Sequence, residues 1–177
     1  MDAKAVERAI ARMARELIEM DAGGAKLMLM GIHRRGVQLA RLLQSEIERA
    51  EGLTVPFGTL DITLYRDDFM VIGPRPVIGE SELPPAGIDD QVVVIVDDVL
   101  FTGRTVRAAL NELMDWGRPA RIYLCVLVDR GGRELPIRAD VVGKTVEVGP
   151  DQIVEVLVPE LDDELAVHVV TVPPEAT

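Results

Sequence analysis

A chain of 177 residues suits one domain with a sizeable core, and 48% hydrophobic residues exclude a disordered chain. A net charge of −11 argues against non-specific nucleic-acid binding, and 3% aromatic residues leave little for base-stacking platforms. No apolar run of about 18 residues marks a membrane span. The single Cys125 excludes an internal disulfide, and the N-terminus lacks a signal-like apolar core, so the expected location is cytoplasmic.

Residues 4–20 predict a helix, because Val6, Ile10, Met13 and Leu17 form one apolar stripe. Arg8, Arg12 and Arg15 share another face, and Gly23-Gly24 is the stop signal. Lys26 to Gly31 predicts a buried strand, Gly31 to Gly36 a loop, and Val37 to Arg49 a second helix. Val55 to Tyr65 predicts extended chain. Residues 73–90 are rich in Pro and Gly (Gly73, Pro74, Pro76, Gly79, Pro84, Pro85, Gly87) and predict an irregular arm.

Gln91 to Val96 holds an unbroken branched run that suits a central parallel strand covered on both faces. Val106 to Trp116 predicts a helix stopped by Gly117 and Pro119, and Arg121 to Val128 another apolar strand. Shorter strands are expected near Asp140–Val148, Ile153–Val158 and Ala166–Val172. Strand–helix alternation indicates an α/β domain with a parallel sheet. The charge is uneven: residues 151–177 carry seven acids and no Lys or Arg, so that segment holds −7 of the −11.

Chemistry concentrates after the central strand. Asp97 and Asp98 fall at its carboxyl end, where open α/β sheets bind ligands. Adjacent carboxylates there need cations or hydroxyl donors, which vicinal sugar hydroxyls and Mg2+ would supply. Thr102, Gly103, Arg104 and Thr105 open the next helix, whose free N–H groups and dipole make a phosphate seat. A strand end and an ordinary helix cap would account equally well for a bare Asp-Asp and a Thr. Neither G-x-x-x-x-G-K-[ST] nor G-x-G-x-x-G occurs.

The whole stretch Val93–Thr105 resembles the phosphoribosyl pyrophosphate (PRPP) signature of the type I phosphoribosyltransferases. Asp61 to Asp68 (DITLYRDD), Val128 to Gly131 (VDRG) and Arg133 to Asp140 (RELPIRAD) are similar to the PyrR family, pyrimidine-operon attenuators that are also uracil phosphoribosyltransferases. The resemblance spans roughly residues 4–146. It implies a type I phosphoribosyltransferase fold over residues 1–177: a central, mostly parallel sheet flanked by helices, a small hood and a flexible flap. It also implies conversion of uracil and PRPP to UMP and pyrophosphate, with Mg2+ as cofactor held mainly by substrate, Asp97 or Asp98 being the protein groups that could touch it.

The same resemblance distributes roles. Asp97 and Asp98 would hold the ribose hydroxyls, and Thr102, Gly103, Arg104 and Thr105 the 5-phosphate. Arg34, Arg35 and Gly36 would cradle pyrophosphate, with a non-proline cis peptide expected at Arg34–Arg35. Arg66 would fold over the leaving group from a flap beginning at Tyr65. Backbone groups at Val128 and Asp129 would read uracil. Uridine nucleotides (UMP, UTP) would promote binding of a pyrimidine-operon mRNA stem-loop through Arg12, Arg15, Arg133, Arg138 and Lys144.

Two departures from the family pattern stand out: the first helix runs Ala11-Arg12-Met13-Ala14-Arg15, and Gly132 replaces a frequent His. A salvage enzyme without RNA regulation, or a transferase for another base, therefore remains an alternative. A homodimer or larger homo-oligomer is expected from the family. Cys125 reads as a buried inert thiol, His168 as structural or surface, and Trp116 as packing. His33 lies in the pyrophosphate loop, where it could touch the anion or point to solvent. Few and scattered His and Cys make a protein-built zinc site an unattractive reading.

Overall fold

The structure, a computed structural model, describes residues 1–21, 26–65 and 81–172. Helix α1 (Ala3–Met20) starts where the Asp2 carboxylate accepts the Ala5 N–H at 2.8 Å, an N-cap. Its stripe of Val6, Ile10, Met13 and Leu17 is buried as the spacing predicts. The helix ends at Met20, and Gly23-Gly24 lies outside the described residues. Strand β1 (Leu27–Ile32) is buried throughout and leads into α2 (Arg35–Glu51), closed by Gly52 in the left-handed region. This helix begins two residues earlier than Val37, so the connecting loop is only a two-residue turn, His33-Arg34.

Strand β2 (Phe57–Leu60) is short, and a 3-10 turn at Ile62–Tyr65 replaces the expected extended chain there. Of the Pro- and Gly-rich stretch, residues 81–90 are described. Glu82 forms an antiparallel bridge to Thr59 through hydrogen bonds of 2.9 and 3.1 Å.

Strand β3 (Val92–Leu100) runs past the acidic pair, because its pairing with β4 (Arg121–Asp129) continues to Leu100 beside Asp129. Helix α3 (Arg104–Trp116) follows, and Trp116 packs at its end. Strand β5 (Val141–Thr145) completes a parallel sheet ordered β2-β1-β3-β4-β5.

Residues 151–172 form an antiparallel hairpin of β6 (Gln152–Leu157) and β7 (Ala166–Thr171). A single helical turn, α4 (Pro159–Asp162), joins its strands, and the sequence pattern does not mark it. One core lies between the sheet and α1 and α2, and it also takes Val156, Val158 and Val167 from the hairpin segment. The second core lies under α3. Strand β3 feeds both: Val94 and Val96 face one, Val93 and Ile95 the other. That two-sided burial explains its unbroken apolar run. Among the described residues no helix is long and apolar enough to cross a membrane. Cys125 is fully buried, and burial pushes its thiol pKa up, away from reactivity.

Candidate active site

The site grows from the carboxyl ends of β1, β3 and β4. Helix α2 can start there only because two residues lack side chains. A Cβ on Gly36 would lie 2.5 Å from the Val96 carbonyl oxygen and 3.2 Å from the Asp97 Cα. A Cβ on Gly31 would lie 2.6 Å from the Val37 Cα. The first turn of α2, with N–H groups that lack intrahelical partners, is thereby pressed against the backbone at Asp97. The non-proline cis peptide is at His33–Arg34, one bond earlier than expected. The reason is the early helix start: Arg34 is already in the αR region as N-cap and Arg35 is the first helical residue.

Asp97 is 6% exposed and Asp98 half-buried. The Asp98 N–H donates to Asp97 Oδ1 at 3.0 Å, and the Val99 N–H to Asp98 Oδ1 at 2.8 Å. Burial, reinforced by the neighbouring Asp98 charge, holds the Asp97 carboxyl well above the usual range. A buried carboxylate beside a second one is the arrangement a ligand with hydroxyl donors or a cation would relieve.

Gly103 caps α3 with φ +92°, a conformation that L side chains rarely adopt. The Thr102 hydroxyl accepts the Arg104 N–H at 3.3 Å, and its carbonyl accepts the Glu134 and Leu135 N–H groups at 3.0 and 3.1 Å. Arg104 pairs with Glu134 at 2.6 Å on the surface. Thr105 is half-buried in the first turn.

Asp129 ends β4 opposite Leu100. Its carboxylate accepts from Arg133 and from the Gly131 N–H, the latter at 2.9 Å. Burial pulls its pKa up, but those donors outweigh it and hold the carboxyl below the usual range. Arg133 also donates to the carbonyls of Phe101, Ile137 and Gly131 at 2.9, 3.0 and 3.1 Å. Its guanidinium therefore stitches the β3 end to the loop after β4 rather than presenting a free surface charge.

The other residues considered for RNA divide. Arg12 donates to the Val142 and Gly143 carbonyls at 2.9 and 2.7 Å and pairs with Glu16. Arg15, Arg138 and Lys144 are exposed. Val128, beside Lys144 in the sheet, is fully buried. Arg66, Asp67 and Asp68 lie outside the described residues.

Sequence reasoning missed the contacts that join distant segments. Arg35 Nη2 lies 2.8 Å from Asp162 Oδ1, and Asp162 also accepts the Val158 N–H at 2.9 Å. The Val158 N–H and Arg35 hold the Asp162 carboxyl below the usual range. The hairpin segment thus roofs the site. A cleft of about 250 Å³ lies between Arg35, Asp98 and Val154–Leu157. A wider one, about 500 Å³, is lined by His33, Arg34, Gln38, Arg41 and Leu161. No local sequence signal marks these contacts beyond Arg35 itself. Glu112, buried on α3, accepts from the Ser81 hydroxyl; its pKa is raised by burial, which the Ser81 bond offsets in part, and by the nearby Asp61.

A parallel sheet with paired carboxylates on its central strand, between two helix starts held by glycine, is the architecture of a phosphoribosyltransferase. Residues 1–164 match the family described as "Phosphoribosyl transferase domain". Two solved hypoxanthine phosphoribosyltransferases share the fold. That of Trypanosoma cruzi has a TM-score of 0.72 at 20% identity, covering 98% of this chain and 94% of that one. That of Staphylococcus aureus has 0.68 at 21%, covering 98% and 90%.

Closer relatives narrow the class. The protein named "Bifunctional protein PyrR" from Herpetosiphon aurantiacus is 54% identical over 92% of this chain and 90% of its own length. Its namesake from Thermus aquaticus is 52% identical over 93% and 90%. The chain belongs to the PyrR family.

Proposed function

We propose that this protein transfers the phosphoribosyl group of PRPP to uracil, and that it binds pyrimidine-operon mRNA when a uridine nucleotide occupies the site. The observation that carries the transfer is the placement of Asp97 and Asp98 between two helix N-termini whose glycines let backbone N–H groups approach an anion. The start of α2 suits the leaving pyrophosphate, and the start of α3 the 5-phosphate.

In the reaction the bond from the ribose C1′ to pyrophosphate breaks with its electron pair leaving on pyrophosphate, uracil N1 bonds to C1′, and the N1 proton passes to water or to the departing pyrophosphate. The first turn of α2, with Arg34 and Arg35, takes the departing charge. Asp97 and Asp98 accept from the ribose hydroxyls and lie on the side where positive charge develops. The Thr102–Thr105 turn fixes the phosphate, and backbone groups at Val128 and Asp129 face the uracil edge. Arg35 must leave Asp162 to meet pyrophosphate. Arg66 would cover the leaving group.

Asp97 and Asp98, adjacent carboxylates on β3, are oxygen donors of the kind Mg2+ takes, and they would touch a Mg2+ carried mainly by substrate oxygens and water, because this ion keeps its waters and demands octahedral geometry. Bound there, Mg2+ would neutralise charge on the diphosphate.

Steady-state assays of PRPP consumption with uracil and with hypoxanthine test the base. A kcat/KM at least about 100-fold higher for uracil supports the reading, and the reverse order replaces it. Support for RNA binding comes from the relatives' printed name and from exposed Arg15, Arg138 and Lys144. The −11 charge and the inward Arg133 favour the alternative, a salvage enzyme without RNA regulation. Filter binding of the operon leader with and without UMP separates them: binding enhanced by UMP supports regulation, and none leaves the enzyme alone.

A further inference from the structure

Beyond the ribose carboxylates, where β3 ends beside the β4 end proposed for the base, stands an aromatic ring with no role so far. Phe101 follows the last residue of β3 and is 43% exposed. The Arg130 N–H donates to the Leu100 carbonyl at 3.1 Å, which sets the ring beside the Asp129–Gly132 turn. The ring is braced. The Arg130 guanidinium carbon lies 4.0 Å from its centroid, and a Cβ at Gly132 would lie 2.5 Å from its edge carbon Cε2.

Arg130 is fixed in turn by its Nη2, which donates to the Gln152 carbonyl of β6 at 3.0 Å. Its Nε is buried without a hydrogen-bond acceptor. A guanidinium N–H that forgoes an acceptor is costly, and its placement against the π face offsets part of that cost. The fold thus holds one aromatic ring rigid from behind and leaves it open beside the site. A preorganised ring loses little entropy when a flat ligand stacks on it.

We propose that Phe101, backed by Arg130 and Gly132, is a wall of the nucleobase pocket that stacks on the acceptor pyrimidine and sets its plane against C1′. This rests on the phosphoribosyl-transfer reading above. Arg130 is then a positioning residue, tying the wall to the hairpin roof through Gln152.

Calorimetric titration with UMP and separately with ribose 5-phosphate tests the wall. Phe101→Leu keeps apolar bulk but removes the flat face. It should weaken UMP binding about tenfold and leave ribose 5-phosphate within about twofold. Phe101→Trp should retain UMP binding, with fluorescence quenched by UMP and unchanged by ribose 5-phosphate. Unchanged UMP binding in Phe101→Leu, equal losses for both ligands, or a Trp signal blind to UMP would each overturn the proposal. The first of these would mark the ring as a surface for a partner instead. If Phe101→Leu does not fold, the Trp variant decides. Should the wild type prefer inosine monophosphate to UMP, the uracil reading fails on its own. The ratio against ribose 5-phosphate, measured with that nucleotide, then decides the wall.

Discussion

The two strand–helix junctions that flank Asp97 and Asp98 do similar work by different means. At the β1–α2 junction the constraint is steric: Gly31 and Gly36 are needed because backbone lies where a side chain would be. At the β3–α3 junction the constraint is conformational: Gly103 has φ +92°, while the nearest side chains, Ile137 and Leu135, stand 3.3–3.4 Å from its would-be Cβ and can give. The first junction is closed by the hairpin through Arg35–Asp162, the second by Arg133 from the loop after β4. An anion seat can thus be built by excluding volume or by selecting a backbone conformation, and the two should fail differently.

Asp97, whose Cα lies 3.2 Å from the would-be Cβ of Gly36 at the first junction, carries the largest expected effect. Asp97→Asn should lower turnover about 100-fold while raising the unfolding midpoint at neutral pH. The sign follows from its raised folded pKa: the folded state gives up this proton less readily than the unfolded chain, so ionisation works against folding as pH rises through the acid range. A drop in both turnover and midpoint would contradict that assignment.

Stability effects should then rank the junctions. Gly36→Ala forces a methyl onto the Val96 carbonyl oxygen, which cannot move without the sheet, and should cost about 3 kcal/mol in urea unfolding. Arg133→Met removes several internal hydrogen bonds and should cost about 2 kcal/mol. Its loss should also flatten the acid limb of the stability curve. The depressed Asp129 pKa gives stabilisation that is complete above the ordinary carboxyl value of about 4 and lost as pH falls through the folded value. Gly103→Ala should cost only about 1 kcal/mol, the left-handed penalty with a forgiving neighbourhood. Equal costs at Gly36 and Gly103 would erase the distinction between the junctions. The smallest effect belongs to Asp162→Asn, which frees Arg35 and should tighten pyrophosphate binding by no more than about fivefold in calorimetry.

Legibility in the sequence follows range. Whereas the continuation of β3 through Asp97 and Asp98 to Leu100 depends on its pairing with β4, its apolar run as far as Val96 and the turn at Thr102–Thr105 are set by contiguous residues, so residue type reveals them. The helical stripe of α1 is legible for the same reason. Arg133 reads as a surface charge in sequence because, Asp129 apart, its acceptors are carbonyls, which carry no sequence identity, on segments up to 33 positions away. The Arg35–Asp162 pair spans 127 positions, and the acidic segment containing Asp162 reads only as bulk charge. The expected cis peptide is off by one bond because the start of α2 depends on how closely Gly36 meets β3, a tertiary contact.

The central claim is that the two junctions and the carboxylates between them form one phosphoribosyl-transfer site. Phosphorus NMR of the protein mixed with PRPP, Mg2+ and uracil tests it most directly. The expected result is loss of PRPP with UMP and pyrophosphate rising in equal amounts. PRPP that persists unchanged, or that yields ribose 5-phosphate without UMP, would contradict it.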